Sequence, residues 1–214
     1  MKKIIFVSGI GTNVGKSYAT GWLANHLIAK GEKVITMKMI QTGNIGYSED
    51  IEIHRKVMHL PLLPIDTDFT TAPIIMTYPA SPHLAARIDK REIDLSLIDK
   101  STNKLFADYD TILMEGAGGI MVPITEHYLT IDYIHEKKLP LAIVTNGQLG
   151  SINHTLLTIE AAHSRGIDIS YLIYNPYFDE DATIAAETQA YFSQLMKHRF
   201  PDIQYIIMNN EHNK

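Results

Sequence analysis

The stretch that most constrains this chain is Val7-Ser8-Gly9-Ile10-Gly11-Thr12-Asn13-Val14-Gly15-Lys16-Ser17, where an apolar strand signal (Ile4, Ile5, Phe6, Val7) runs into a glycine-rich turn closing on Gly-Lys-Ser. Glycines let the backbone curl until several N–H groups face one point. A following helix aims its positive end at the same point, and a lysine adds a mobile charge. The result is a receptor for nucleotide phosphates, with Ser17 offering the hydroxyl that a phosphate-bound Mg²⁺ takes as one oxygen ligand. The spacing departs from the general pattern, in which four residues separate the first glycine from Gly-Lys-Ser/Thr. Here five lie between Gly9 and Gly15. A helix start that merely carries Gly-Lys-Ser is the plainer alternative; the strand before it and the apolar helix after it argue for the phosphate loop.

A chain of 214 residues, 45% of them hydrophobic, can bury one substantial core, so one domain over residues 1–214 is expected. A net charge of −5 leaves no broad basic surface for nucleic acid. The absence of cysteine removes disulfides, thiolate metal sites and thiol nucleophiles together. The chain enters a strand almost at once, shows no signal-peptide pattern and has no membrane-length apolar run, so a cytoplasmic protein without a membrane partner is expected. Asn153-His154-Thr155 fits a glycosylation sequon, read here as coincidence.

Along the chain, a helix follows the loop as far as Lys30, and Val34 to Met37 reads as a second strand. Together they form the minimal unit of a parallel sheet. Lys38 and the turn Gln41-Thr42-Gly43 then fall at that strand's carboxyl end, where open α/β sheets bind ligands. Ser48-Glu49-Asp50 precedes a helical run, and capping is the ordinary role for Ser48 or Asp50. His54 and His59 have no partner at a ligand spacing and are expected at the surface or in packing. Residues 60–82 hold five prolines and read as an excursion over the sheet edge, with a short strand at 74–76.

A helix over 95–106 leads to a buried-type strand at 111–114. That strand delivers Glu115 and Gly116-Ala117-Gly118-Gly119 to the loop's edge, where an acid suits Mg²⁺. A short helix at 129–135 and a strand at 141–144 come next. A helix opening at Gly150-Ser151-Ile152-Asn153 then makes a second anion-binding end. A strand at 169–174 ending on Asn175, a helix over 182–198 and a strand at 203–208 complete a single doubly wound, mostly parallel sheet with helices on both faces, a P-loop NTPase-like α/β fold.

The ordered set Gly9-x-Gly11-Thr12-Asn13-Val14-Gly15-Lys16-Ser17, Lys38-x-x-Gln41-Thr42-Gly43, Asp50, Ser81-Pro82-His83, Glu115-Gly116-Ala117-Gly118-Gly119 and Gly150-x-Ile152-Asn153-His154 resembles the dethiobiotin synthetase family, whose loop has this same spacing. The resemblance runs from Ile4 to about Asn175. It departs at Gly11, where the family usually carries an acid, and at Met39, where a proline usually stands.

The resemblance implies a homodimeric enzyme that converts 7,8-diaminononanoate, CO₂ and MgATP to dethiobiotin through a carbamate and a carbamic-phosphoric anhydride. It implies Lys16, Lys38 and Thr12 as catalytic residues. ATP would be held by Asn13, Val14, Gly15, Lys16, Ser17, Tyr18, Glu115, Gly116 and Gly118, with Asn175 on the purine, and Mg²⁺ by Ser17, Asp50 and Glu115. Substrate would be held by Thr12, Lys38, Thr42 and Gly118, and by Ser151, Ile152 and Asn153 reaching the partner subunit's site. After Met208 no glycine-isoleucine-proline-like turn completes a base pocket, and Asn209 or Asn210 is the alternative base partner. Weak discrimination is therefore expected, with GTP and CTP within about tenfold of ATP in kcat/KM, roughly 1.4 kcal/mol. A nucleotide-switched partitioning ATPase shares the architecture, but such proteins carry an additional lysine early in the loop and Gly9 to Val14 contain none. A glutamine-dependent amidoligase would need a thiol nucleophile that the chain lacks.

Overall fold

The computed structural model describes residues 2–209, so Asn210 lies outside the described residues. In chain order the elements are β1 (Lys3–Gly9), α1 (Lys16–Ile28), β2 (Val34–Lys38), β3 (Gln41–Thr42), α2 (Glu49–Val57), α3 (Pro64–Thr67), β4 (Ile75–Met76), α4 (Pro82–Asp89), α5 (Ser96–Leu105), β5 (Thr111–Glu115), β6 (Pro123–Thr125), β7 (Tyr128–Leu129), α6 (Thr130–Glu136), β8 (Leu141–Asn146), α7 (Ser151–His163), β9 (Ile169–Asn175), a 3₁₀ turn (Pro176–Phe178), α8 (Ala182–Arg199) and β10 (Gln204–Ile207).

Six strands form one sheet in the order β10-β9-β8-β1-β5-β2, and every pairing in it is parallel. Strands β2, β5 and β8 are buried along their whole length, as a parallel sheet covered on both faces requires. Alternation along the strands divides the core. Phe6, Ile112, Met114, Ile143 and Leu172 face Ile131 and Ile134 of α6, Ile159 of α7 and Phe192 of α8. Ile5, Val7, Leu113, Ala142, Val144 and Ile173 pack with Leu23 and Leu27 of α1. From β1 the chain builds to one side through β2 and β5, then to the other through β8, β9 and β10. Strand order thus reverses at β1, and the crevice at a doubly wound sheet's carboxyl edge opens there.

The proline-rich excursion holds more structure than its sequence suggests. Residues 64–67 form the short α3, β4 pairs in parallel with β3 outside the main sheet, and α4 starts at Pro82. Pro82 occupies the first helical turn, where its missing N–H costs nothing, but eight residues give too short a periodicity to be read in advance. No helix among the described residues is long and apolar enough to cross a membrane.

Candidate active site

Two strand ends and two helices build the site. The register of the parallel β2–β5 ladder places Lys38 opposite Glu115, and that of β1–β5 places Val7 opposite Glu115, so the lysine and the acid emerge side by side next to the loop. Helix α1 begins at Lys16 behind Gly15, whose φ of 83° is left-handed. A Cβ there would come within 2.1 Å of the Asn175 side-chain nitrogen, so glycine is required twice over. Helices α1 and α2 approach closely at Gly21, where an added Cβ would stand 2.8 Å from Val57. That approach brings the first turn of α2 over Ser17.

Ser48, rather than Asp50, caps α2, its hydroxyl accepting from the Ile51 N–H at 3.3 Å and donating to Gln41 Oε1 at 2.6 Å. Asp50 is thereby left for the site. Ser17 Oγ lies 2.6 Å from Asp50 Oδ1 and 3.1 Å from Glu115 Oε1, and Lys38 Nζ lies 2.5 Å from Asp50 Oδ2 and 2.7 Å from Glu115 Oε1. Lys38 also donates to the Gly116 carbonyl at 3.1 Å. On the far oxygen of Glu115, His54 Nε2 stands at 2.6 Å and Thr20 Oγ1 at 3.3 Å. Lys16 Nζ curls back to the Gly11 carbonyl at 3.0 Å.

Burial works against the charges on Lys38 and Glu115, which are 4% and 1% exposed, but their mutual attraction outweighs it. With Asp50 contributing, Lys38 is held above the ordinary lysine range. Glu115, attracted by Lys38 and bonded by His54, is held far below the ordinary carboxylate range. Both stay charged. Lys16 moves the other way, because burial and the Lys38 charge lower it more than Glu115 and Asp50 raise it. An anion at the loop would offset that cost.

Lys16, Ser17, Lys38, Asp50 and Glu115 line a cleft of about 670 Å³ together with Thr12, Asn13, Gly15, Tyr18, Thr42 and Gly118. A family model described as an AAA domain matches residues 3–199. ATP-dependent dethiobiotin synthetase BioD 2 of Haemophilus ducreyi is 44% identical over 211 residues, covering 99% of this chain and 100% of the relative. The protein of that name from Pasteurella multocida is 41% identical over 209 residues, 98% of each chain. This chain belongs to the dethiobiotin synthetase family. The match continues past Asn175, where the resemblance read from motifs ends, so relatives of this family share the chain's length beyond that point.

Among solved structures, a ParA family ATPase from Chlorobium tepidum TLS has a TM-score of 0.55 at 16% identity, over 99% of this chain and 86% of that one. The signal recognition particle receptor FtsY from Elizabethkingia anophelis in complex with GDP has 0.58 at 13%, over 99% of this chain and 58% of that one. At such identities the likeness is one of fold.

Not every residue that the family resemblance names lies in the cleft. Val14 is buried, and its carbonyl accepts from Asn175 Nδ2 at 3.1 Å; Asn175 Oδ1 in turn accepts from the Tyr177 N–H at 3.1 Å. The amide expected on the purine is thus bonded to the loop and to the 3₁₀ turn. Ser151, Ile152 and Asn153 open α7 apart from the cleft, Asn153 exposed and Ser151 Oγ buried without a hydrogen-bond partner. His54, expected in packing or at the surface, is fully buried against Glu115. The signal that would have found it is its place four residues after Asp50, which puts both on one face of α2.

Proposed function

We propose that this chain catalyses the MgATP-dependent carboxylation and ring closure of 7,8-diaminononanoate with CO₂ to dethiobiotin, as a single-domain subunit of a cytoplasmic homodimer with active sites at the interface. The observation that carries the reading is the buried Lys38 ammonium held charged between Asp50 and Glu115, beside the loop and facing Thr12 and Thr42 across one cleft. One substrate amine attacks CO₂ and loses a proton to give a carbamate. A carbamate oxygen then attacks the γ-phosphorus as ADP leaves. The second amine attacks the carbonyl carbon, expelling phosphate and losing a proton. Every intermediate on this route is anionic, so the site needs fixed cations and N–H donors more than an acid–base pair. Lys16 and the loop N–H groups hold the phosphates, Lys38 holds carbamate and γ-phosphate together, and Thr12 and Thr42 orient the carbamate.

The hard oxygen set of Ser17, Asp50 and Glu115, with both carboxylates within hydrogen-bond distance of the Ser17 hydroxyl, fits Mg²⁺. No group of three or more His, Cys, Asp or Glu among the described residues is disposed to hold a metal ion. The ion would therefore be shared with the nucleotide's phosphates, whose charge it would neutralise when bound. Support for the dimer comes from the α7 start, which lies apart from its own cleft and carries an unpartnered hydroxyl at a positive helix end. Asn153→Asp would then raise KM for diaminononanoate, by placing a like charge near its carboxylate, and leave KM for ATP unchanged. Full activity in a demonstrably monomeric sample would contradict the shared site. Because the Asn175 amide already has two protein partners, GTP and CTP are expected within about tenfold of ATP in kcat/KM, and a nucleotide panel checks this.

The test of the whole reading is product analysis with diaminononanoate, bicarbonate and MgATP. Dethiobiotin forming in step with ADP supports it; ATP hydrolysis without a cyclic urea is the outcome a partitioning ATPase would give.

A further inference from the structure

We infer that His54 is a positioning residue that fixes which oxygen of Glu115 faces the cleft, and so sets the affinity of the site for a divalent cation. The inference rests on the reading of Ser17, Asp50 and Glu115 as the ligands of that cation. His54 is 0% exposed, and of its two ring nitrogens only Nε2 has a partner, Glu115 Oε2 at 2.6 Å; Nδ1 is buried with none. With Nδ1 unpartnered, the hydrogen on Nε2 is the one that finds an acceptor. A side chain there only to fill space would be better as a hydrocarbon, which buries no unsatisfied nitrogen. The imidazole therefore gains its place from the single bond to Glu115.

That bond divides the carboxylate. Oε2 is taken from behind by His54 and, at 3.3 Å, by Thr20, while Oε1 faces Ser17 at 3.1 Å and Lys38 at 2.7 Å. The terminal torsion of a glutamate is broad and roughly two-fold, so nothing intrinsic to Glu115 chooses this orientation. Without His54, Oε2 would keep one long bond from a threonine already committed to the Lys16 carbonyl at 2.9 Å. The carboxylate would then turn towards Lys38 and pull Oε1 out of line with Ser17. Hydrogen bonds behind a ligating carboxylate orient it in this way, and their loss typically weakens metal affinity by 10–100-fold.

The test is a titration of Mn²⁺ into the ADP-bound protein, with free Mn²⁺ followed by electron paramagnetic resonance, in wild type, His54→Met, His54→Gln and Glu115→Gln. Methionine and glutamine have similar length, and only the latter carries a donor. H54M is expected to bind Mn²⁺ at least about tenfold more weakly, and H54Q within roughly threefold of wild type, with the Kd of metal-free ADP unchanged in both. H54M at wild-type affinity while E115Q is weakened would overturn the role of His54 and leave the ligand reading intact. An unchanged E115Q would overturn both. If H54M does not fold, the wild-type protein still decides by nuclear magnetic resonance. The downfield Nε2 proton of His54 is expected to persist, protected from exchange, when ADP and Mg²⁺ are added, and its loss would overturn the inference.

Discussion

Two clusters of buried charge meet on α2, at the adjacent residues His54 and Arg55, and they differ in what each leaves unfilled. Arg55 grips Asp66 through Nε at 2.8 Å and Nη2 at 2.7 Å, and Thr36, Thr71 and the Leu63 N–H satisfy the remaining positions. One cation meets one anion there, both about as buried as a side chain can be, and the pair ties α2 to the segment around α3. On the other side one ammonium, Lys38, serves two carboxylates, and Asp50 keeps 21% of its side chain exposed to the cleft. The closed pair can only be broken. The open cluster carries an excess of anionic oxygen at the mouth of a phosphate loop, which is the condition for taking up another cation. Burial alone therefore does not distinguish a strut from a site; the balance of charge and the opening do.

Breaking the closed pair should give the largest change. Asp66→Ala leaves the Arg55 guanidinium buried and unpaired, and should cost about 3–5 kcal/mol of stability in denaturant unfolding while the folded fraction keeps its turnover. A loss below about 1 kcal/mol, the scale of a surface pair, would mean that the strut is no strut.

Lys38→Ala should act on turnover by 10²–10³-fold, about 3–4 kcal/mol, as one transition-state contact is lost. Because the structure buries Lys38 between two acids, the variant should also melt at a lower temperature in EDTA and recover part of that loss with Mg²⁺. Lys16→Ala should match the loss of turnover with less effect on melting, since its ammonium bonds a loop carbonyl rather than a buried carboxylate. Turnover of Lys38→Ala within threefold of wild type would remove Lys38 from the mechanism.

The smallest change should come from the cap that both clusters share. Ser48→Ala removes the acceptor for the Ile51 N–H and the donor to Gln41, for about 1 kcal/mol of stability with turnover little altered. A large fall in kcat without destabilisation would instead place Ser48 in the chemistry.

What the sequence disclosed follows the same division. Lys38 and Glu115 were legible because each ends a buried strand, and strand ends of a parallel sheet converge on one edge whatever else the chain does. Ser17 was legible from the loop. Asp50 was ambiguous until the structure gave the cap to Ser48. The i, i+4 spacing puts His54 on the Asp50 face of α2, but its bond to Glu115 depends on how that helix is rotated. The Arg55–Asp66 pair was not legible, because it depends on where the proline-rich segment returns, and no local pattern encodes that. The short α3 and α4 were hidden for a related reason, each being too brief to show a period, whereas β4 falls within the strand read at 74–76. Asn175 was picked out correctly as the end of a strand, but the commitment of its amide to Val14 across 161 residues is a tertiary fact.

Attack of a carbamate oxygen on phosphorus beside Lys38 leaves an isotopic record. With ¹⁸O-labelled CO₂, unlabelled MgATP and diaminononanoate in a rapid single turnover, one ¹⁸O is expected in the inorganic phosphate and one in the urea carbonyl of dethiobiotin. Phosphate free of label, formed alongside labelled dethiobiotin, would show that ATP is split by water and would contradict it.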